Sequence, residues 1–189
     1  TMEAGVGGYS SGVAPTGWIA TGASGGLLSA SRASEGNGMY AFNGMGSTTG
    51  GTLSQTIDTV AGQTYTLVFD MAGRGTPTNL TNHNLLVEAI SGGTTVLSQV
   101  ATDTTTVSGG STGLGYNAYT YSFTATASTT LIRFTDQSTN IQSVAGDLDL
   151  DNVRIWNSAI TIEENSANGT MVANAVGINP EGVTGLSYT

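Results

Sequence analysis

The chain of 189 residues contains no cysteine and no lysine. Without cysteine there is no disulfide, no thiolate metal site and no thiol catalysis, so packing or oxygen-ligated ions must hold the fold together. Without lysine there is no Schiff-base catalysis and no lysine–asparagine crosslink. No run of about 18 apolar residues occurs, so the sequence predicts no membrane-spanning helix.

Positive charge is also scarce. Thirteen acidic residues face four arginines, which gives a formal net charge of −9. Such a chain has no basic stripe that could release counterions from phosphates, so nucleic acid is a poor partner. An acidic surface rich in Gly, Ser, Thr and Asn is typical of a secreted protein that tolerates calcium and salt. We therefore expect a secreted or cell-surface protein.

Short runs of alternating apolar and polar residues make up most of the sequence. The clearest is residues 64–71, where Tyr65, Leu67, Phe69 and Met71 share one face of a predicted strand. No stretch has a sustained 3.6-residue period, and the length suffices for one main core. These patterns predict an all-β fold of eight to ten strands, a two-sheet antiparallel β-sandwich, with candidate strands at residues 27–31, 39–43, 52–58, 64–71, 84–90, 94–102, 118–126, 129–136 and 147–156.

The last of these strands changes phase in its middle. Leu148 and Leu150 share one parity, whereas Val153 and Ile155 have the other, so a regular strand would point one pair at water. A β-bulge near Asp151 would return both pairs to one face and redirect an acidic side chain. Asp151 is therefore the first candidate for function. The alternative is that the acidic residues of this strand are simply its solvent-facing members.

After Trp156 the sequence has a short linker at residues 157–159 and then a new strand-like run. We therefore place a domain boundary near residue 158. The predicted main domain is residues 1–157. Residues 158–189 are too few for an independent core, so they are predicted to be a linker with a C-terminal β-strand extension. They would pack on the main domain, on another chain, or on a continuation of this one.

Six sequence pieces in order resemble the galactose-binding-like jelly rolls found among bacterial carbohydrate-binding modules. They are Gly17-Trp18 and residues 36–42, 53–57, 61–69, 119–125 and 150–153. The resemblance implies a jelly-roll sandwich stabilised by a structural Ca²⁺ that ties the N-terminal segment to the last strand. The positions that match the ligands of such domains are Glu3, Glu35 and Asn37 in one turn, and Asp151.

The sequence from residue 160 onwards resembles the opening third of a cadherin-like repeat. Glu164 matches the glutamate of the first strand in that family, whereas Asn179 and Glu181 only approximate its calcium-binding turn. The resemblance implies one unit of a tandem-repeat surface protein. An unpaired strand in this segment could instead pair with a neighbouring subunit.

Polar loops and aromatic residues supply the candidates for a ligand site. Stacking aromatics and polar side chains on loops are what a saccharide site needs, and the candidates are Trp18, Arg74, Asn79, His83 and Tyr116, with Asn82 and Gln142 beside them. Each has a plainer interpretation. Trp18 is more readily a core plug, Arg74 a strand cap, and His83 an exposed histidine of a polar loop at residues 72–84.

No constellation for catalysis stands out. The single histidine has no carboxylate near it in sequence, the carboxylates are scattered, and the glycine-rich turns do not precede helices. The sequence therefore predicts a non-catalytic, calcium-stabilised, secreted or bacterial cell-surface module that binds a polysaccharide or cell-surface glycan. The alternative is a structural unit of an adhesin or extracellular filament that self-associates through its C-terminal strand.

Overall fold

The computed structural model describes residues 10–22, 26–29, 33–42, 49–75, 82–103, 107–108, 115–139 and 147–157. These segments are all-β, as the alternating patterns predict, and within them no helix is long and apolar enough to cross a membrane. Their strands are β1 (Ser10–Ser11), β2 (Ile19–Thr21), β3 (Gly26–Ser29), β4 (Gly38–Phe42), β5 (Thr52–Asp58), β6 (Thr64–Gly75), β7 (His83–Ser91), β8 (Thr94–Asp103), β9 (Val107–Ser108), β10 (Asn117–Thr124), β11 (Thr129–Asp136) and β12 (Leu148–Asn157).

The strands form two sheets. Sheet A has the order β1-β3-β4-β12-β6-β10, with β9 beside the end of β6, and sheet B has the order β2-β5-β11-β7-β8. Only the short β6–β9 pairing among the described strands is parallel. Every other pairing is antiparallel, which confirms the predicted two-sheet antiparallel sandwich.

The core lies between the two sheets and is rich in aromatic side chains. Phe69 of sheet A contacts Phe134 of sheet B edge to face, with ring centroids 5.3 Å apart, and stacks on Tyr119 of β10 at 5.4 Å. Both phenylalanines are fully buried. Offset and edge-to-face pairs of this kind add about 0.5 to 1.5 kcal/mol each beyond the burial of apolar area. The sandwich is thus held through its centre by rings from three strands.

The described residues form twelve strands, more than the predicted eight to ten, and the strand boundaries differ from the expectation in two places. Residues 52–58 and 129–136 are strands as predicted. β6, however, continues to Gly75 and β7 already begins at His83, so the predicted loop at residues 72–84 is wrong at both ends. The segment before residue 26, where the sequence predicts no strand, contributes β1 and β2. Residues 158–189, with the predicted strand extension and cadherin-like piece, lie outside the described residues.

Candidate functional site

The predicted bulge in the last strand is present. The pairing of β12 with β6 shifts register between Asp151 and Arg154, and Asn152 has a φ of 52°. A left-handed backbone is unusual outside glycine, and asparagine tolerates it better than most residues. Because of this shift, Leu148 and Leu150 are fully buried and Val153 and Ile155 pack against the same core.

Asp151 sits at the bulge and binds a turn far away in the sequence. Its Oδ2 accepts hydrogen bonds from the Ser34 backbone N–H at 2.8 Å, the Glu35 N–H at 3.1 Å and the Ser34 hydroxyl at 3.1 Å. Its Oδ1 accepts from the Asn152 N–H at 2.7 Å. Burial raises the pKa of Asp151, and these hydrogen bonds oppose the rise. The carboxylate therefore fastens residues 34–35 to the bulge.

A second carboxylate joins this network from the neighbouring strand. Asp70 pairs with Asp151 across β6 and β12. Its Oδ2 accepts hydrogen bonds from the Ser34 hydroxyl at 2.8 Å and from the Asn152 side-chain amide at 3.0 Å. The single proton of the Ser34 hydroxyl is thus shared between the two aspartates, and Asn152 donates its backbone N–H to one and its side-chain amide to the other, which offsets the repulsion between adjacent negative charges.

This arrangement fits poorly with a calcium ion at Asp151. Calcium needs six to eight oxygen ligands, whereas both oxygens of the Asp151 carboxylate accept N–H or O–H hydrogen bonds and the adjacent Asp70 carboxylate accepts from the same two residues. The side chains of Glu35 and Asn37 are exposed, and Glu3 lies outside the described residues. No group of three or more His, Asp or Glu side chains in the described segments could hold a metal. The calcium site stays a prediction.

Asp147 and Asp149 correct another expectation. The sequence pattern favours ordinary solvent-facing residues at both positions, but they are 4% and 0% exposed. Their side chains do lie on the outer face of sheet A, opposite to Leu148 and Leu150. That half of the outer face is covered, as the buried pair Met39 and Ala72 with its neighbouring Tyr116 shows. Strand parity correctly predicted the face but not its burial.

His83 corrects a third expectation, because it is a buried strand residue rather than an exposed loop residue. It is 0% exposed and stands opposite Asp103 in the β7–β8 pairing. Its imidazole lies against Gly73 of sheet A, where a Cβ atom would come within 2.1 Å of Cδ2. Asp103 accepts the Gly73 N–H at 2.8 Å. His83 is thus an inter-sheet packing residue, and burial removes it from direct contact with an outside ligand.

Tyrosine and aspartate groups near this end of the sandwich have shifted pKa values. Burial and then the negative charge of Asp103 raise the pKa of Tyr119 to about 12, and its hydroxyl donates to the Thr102 carbonyl at 2.8 Å. Burial raises the pKa of Asp136, while hydrogen bonds from the Ser138 hydroxyl and N–H oppose the rise. The Tyr119 hydroxyl thus ties β10 to β8, and the Asp136 carboxylate ties Ser138 to the end of β11.

The predicted ligand-site residues whose side chains the structure describes lie in different surroundings. Trp18 is half-buried beside Phe134 of sheet B, with ring centroids 6.0 Å apart, which agrees with its interpretation as a core plug. Tyr116 lies on the outer face of sheet A, where its hydroxyl contacts the Met39 sulfur at 2.8 Å. Arg74 lies near the end of β6, where its backbone pairs with Val107 of β9. Asn79 lies outside the described residues.

A different surface has the features that a saccharide site needs. After the bulge, Arg154 and Trp156 point outward from sheet A, and Trp156 is 48% exposed. Trp156 pairs with Thr66, which pairs in turn with Ser122. We call this surface the Trp156 face, and it consists of Arg154, Trp156, Thr64, Thr66, Val68, Thr120, Ser122 and Thr124.

The Trp156 face presents one large ring among hydroxyl groups. Side chains opposite one another on paired strands have Cβ atoms about 4.5 to 5.5 Å apart, so the hydroxyls lie close beside the indole. The Thr64 and Thr124 hydroxyls are hydrogen-bonded to each other at 3.0 Å. Around the edge of β10 the face continues into an open cleft of about 460 Å³, lined by Thr64, Val96, Ser122, Phe123 and Thr124.

Sequence reasoning missed Trp156, although the signal was present. Once a bulge places Val153 and Ile155 inward, the alternation of the strand requires Arg154 and Trp156 to point outward. An outward tryptophan near the end of a strand of a half-buried sheet is unusual because burying its ring would remove much apolar area from water. The phase shift thus carried information about a surface as well as about the core.

Comparison with solved structures identifies the class of fold, which is a β-sandwich of the kind found in carbohydrate-binding modules. The K1 cleaved adhesin domain of Lys-gingipain from Porphyromonas gingivalis W83 is similar, with a TM-score of 0.53, 18% identity, and coverage of 77% of this chain and 93% of that chain. A family 61 carbohydrate-binding module, TmCBM61, solved in complex with β-1,4-galactotriose, has a TM-score of 0.51 at 16% identity, covering 76% and 90%. At these identities the likeness defines the fold alone.

Comparison with family models identifies the family. The model described as "Protein of unknown function (DUF642)" matches residues 33–155, which is more than half of the chain. The chain therefore belongs to the DUF642 family. A search of curated protein sequences found no match.

Proposed function

We propose that this protein is a non-catalytic glycan-binding module and that the Trp156 face is its binding surface. The observation that carries the proposal is a tryptophan 48% exposed on a strand face that otherwise presents mainly serine and threonine hydroxyls. An aromatic ring can stack on the apolar face of a sugar while nearby hydroxyls exchange hydrogen bonds with the sugar's own. A sandwich fold similar to a galactotriose-bound module supports the same proposal.

The adjoining cleft supports an extended ligand. The cleft shares Thr64, Ser122 and Thr124 with the Trp156 face and continues to Val96 on β8. A polysaccharide laid across the face could therefore continue around the edge of β10. A short sugar would use only the part next to Trp156. The proposal thus names polymers, including cell-surface glycans, as the ligand class.

The carboxylates near this face support a non-catalytic role. Asp151 is 2% exposed and its two oxygens accept four hydrogen bonds, so it is not available to a substrate. Glycosidases need two carboxyl groups flanking the bond to be cleaved. Its partner Asp70 is committed to the same network. The acidic, hydroxyl-rich composition further supports a module that works outside the cell.

A binding experiment with matched variants tests the proposal. Affinity electrophoresis or calorimetry with soluble galactan, xylan and polygalacturonate should detect binding of the wild type to at least one polymer. Trp156→Ala should weaken it by roughly tenfold or more, about 1.4 kcal/mol. Ile19→Ala removes an exposed apolar residue of sheet B, 64% exposed, and should leave binding unchanged. Full affinity in Trp156→Ala, or binding to no polymer, would refute the proposal.

A second candidate function is assembly into a filament or adhesin, which is the alternative function predicted from the sequence. The observation that favours it is the outer edge of β10, which no described strand pairs. β10 contains no charge and no proline, the features that commonly protect an edge strand. Light scattering of the full chain over a concentration series should then show oligomers that Ala118→Lys dissociates. A monomer at all concentrations would exclude assembly of this kind, through β10 or through residues 158–189.

A further inference from the structure

Arg154 distinguishes the Trp156 face from the rest of this acidic protein. It is exposed and lies two residues from Trp156 on the same side of β12. It has no hydrogen-bond or ion-pair partner among the residues that the structure describes. By contrast, Arg133 on the outer face of sheet B is held by Glu88, with Nη2 2.8 Å and Nε 2.9 Å from Oε2. Arg154 is thus a guanidinium with its donors available.

The spacing of Arg154 and Trp156 suits one ligand that has both a ring and a negative charge. Two residues along a strand are separated by roughly 6.6 Å, and the long arginine side chain can reach beyond that. A guanidinium presents a planar set of donors that matches a carboxylate in a bidentate pair. The hydroxyls of Thr66 and Thr120, on the strands alongside, add polar groups but no charge.

We propose that the Trp156 face selects acidic polysaccharides, whose uronate carboxylates pair with Arg154 while a sugar ring stacks on Trp156. The proposal rests on the proposed function and names its ligand class. Two acidic residues, Asp70 and Asp151, lie opposite each other next to this part of the face, and both carboxylates accept hydrogen bonds from Ser34 and Asn152. The remaining net negative charge of the protein is largely screened beyond about 8 Å at physiological salt.

Polygalacturonate and its fully methyl-esterified form are suitable probes because they share a backbone and differ in charge. The wild-type chain should bind the acidic form more tightly, and the preference should shrink as salt is raised. Arg154→Gln should weaken binding to the acidic form by roughly tenfold and change binding to the ester by less than about twofold. Arg154→Lys keeps the charge but not the planar fork of donors. Its affinity for the acidic form should therefore lie between those of the wild type and Arg154→Gln.

The control variant is Arg133→Gln, which makes the same change of charge on the opposite sheet and should leave both affinities unchanged. Thermal unfolding of each variant establishes that it is folded. Equal affinity of the wild type for the two polymers, no affinity for either, or an Arg154→Gln variant that keeps the acidic preference would overturn this inference. Binding of neutral polymers that still depends on Trp156 would then leave the proposed function standing, whereas binding that is independent of Trp156 would overturn both.

Discussion

The backbone N–H of Ser34 donates a hydrogen bond to Oδ2 of Asp151 over 2.8 Å, although 117 positions separate the two residues in the chain. This bond fastens the turn before β4 to the bulge in β12. The same carboxylate also receives the Glu35 and Asn152 N–H groups. A buried acceptor shared by three backbone donors stabilises the fold strongly, because its loss leaves several donors unsatisfied.

We therefore predict that Asp151→Asn destabilises the protein by about 2 to 4 kcal/mol. Asparagine keeps one acceptor oxygen but turns an NH₂ group toward donors that need an acceptor. Urea denaturation followed by fluorescence measures the effect. Asp58→Asn, at an exposed position on β5, should change the free energy of unfolding by less than about 0.5 kcal/mol. Equal effects of the two substitutions would show that the network has no special role.

Chelation tests the calcium prediction directly. Since hydrogen-bond donors occupy the Asp151 carboxylate, we expect EDTA to shift the melting temperature by less than about 2 °C, the size of a small stability change in a domain of this length. Added calcium should not raise it either. A drop of more than about 5 °C that calcium but not magnesium reverses would establish a structural calcium site and contradict our interpretation of the network.

Gly73 and His83 should be coupled in stability. A methyl group at position 73 would overlap the imidazole, so Gly73→Ala should cost about 3 kcal/mol through overpacking. Removing the ring should relieve the overlap, and the double variant Gly73→Ala with His83→Ala should be less destabilised than the sum of the single changes. Gly115→Ala is the control, since no heavy atom lies within 4 Å of its added methyl group. Strict additivity would argue against this contact.

Asp136 should make stability depend on pH in a defined direction. Its folded pKa is raised above the ordinary value of 3.8, so its contribution to stability is fully present below about pH 3.8 and is lost as the pH rises through the folded pKa. Asp136→Asn removes this ionisation. The unfolding free energy of the variant, measured relative to the wild type, should therefore rise between pH 3 and the pH at which Asp136 is fully ionised, then level off. A fall over that window would refute the direction.

The fold and the bulge could be predicted from local pattern because both depend on which side chains reach the inter-sheet core. Parity along β12 predicted that Leu148 and Ile155 would share a face only if the strand slipped between them, and the register shift confirms this. The strands at residues 52–58 and 129–136 could be predicted from the sequence equally well. Each carries a regular alternation within one segment.

The burial of Asp149 and His83 could not be predicted in the same way. Asp149 is covered on the outer face of sheet A, and sequence alternation does not reveal which part of an outer face other segments cover. His83 needs Gly73 opposite it on the other sheet, a space created by a missing side chain ten positions away. Both outcomes depend on tertiary neighbours, whereas the outward direction of Trp156 followed from local phase.

The position of β12 has a consequence for how the chain acquires its structure. β12 is the last described strand in sequence, yet it lies between β4 and β6 in the middle of sheet A. The two halves of that sheet cannot join until residues 148–157 have been synthesised, so in a chain emerging from the ribosome the facing edges of β4 and β6 stay unpaired until then. Such non-local pairings fold slowly. The late arrival of β12 would therefore delay completion of sheet A and keep the facing edges of β4 and β6 exposed until then.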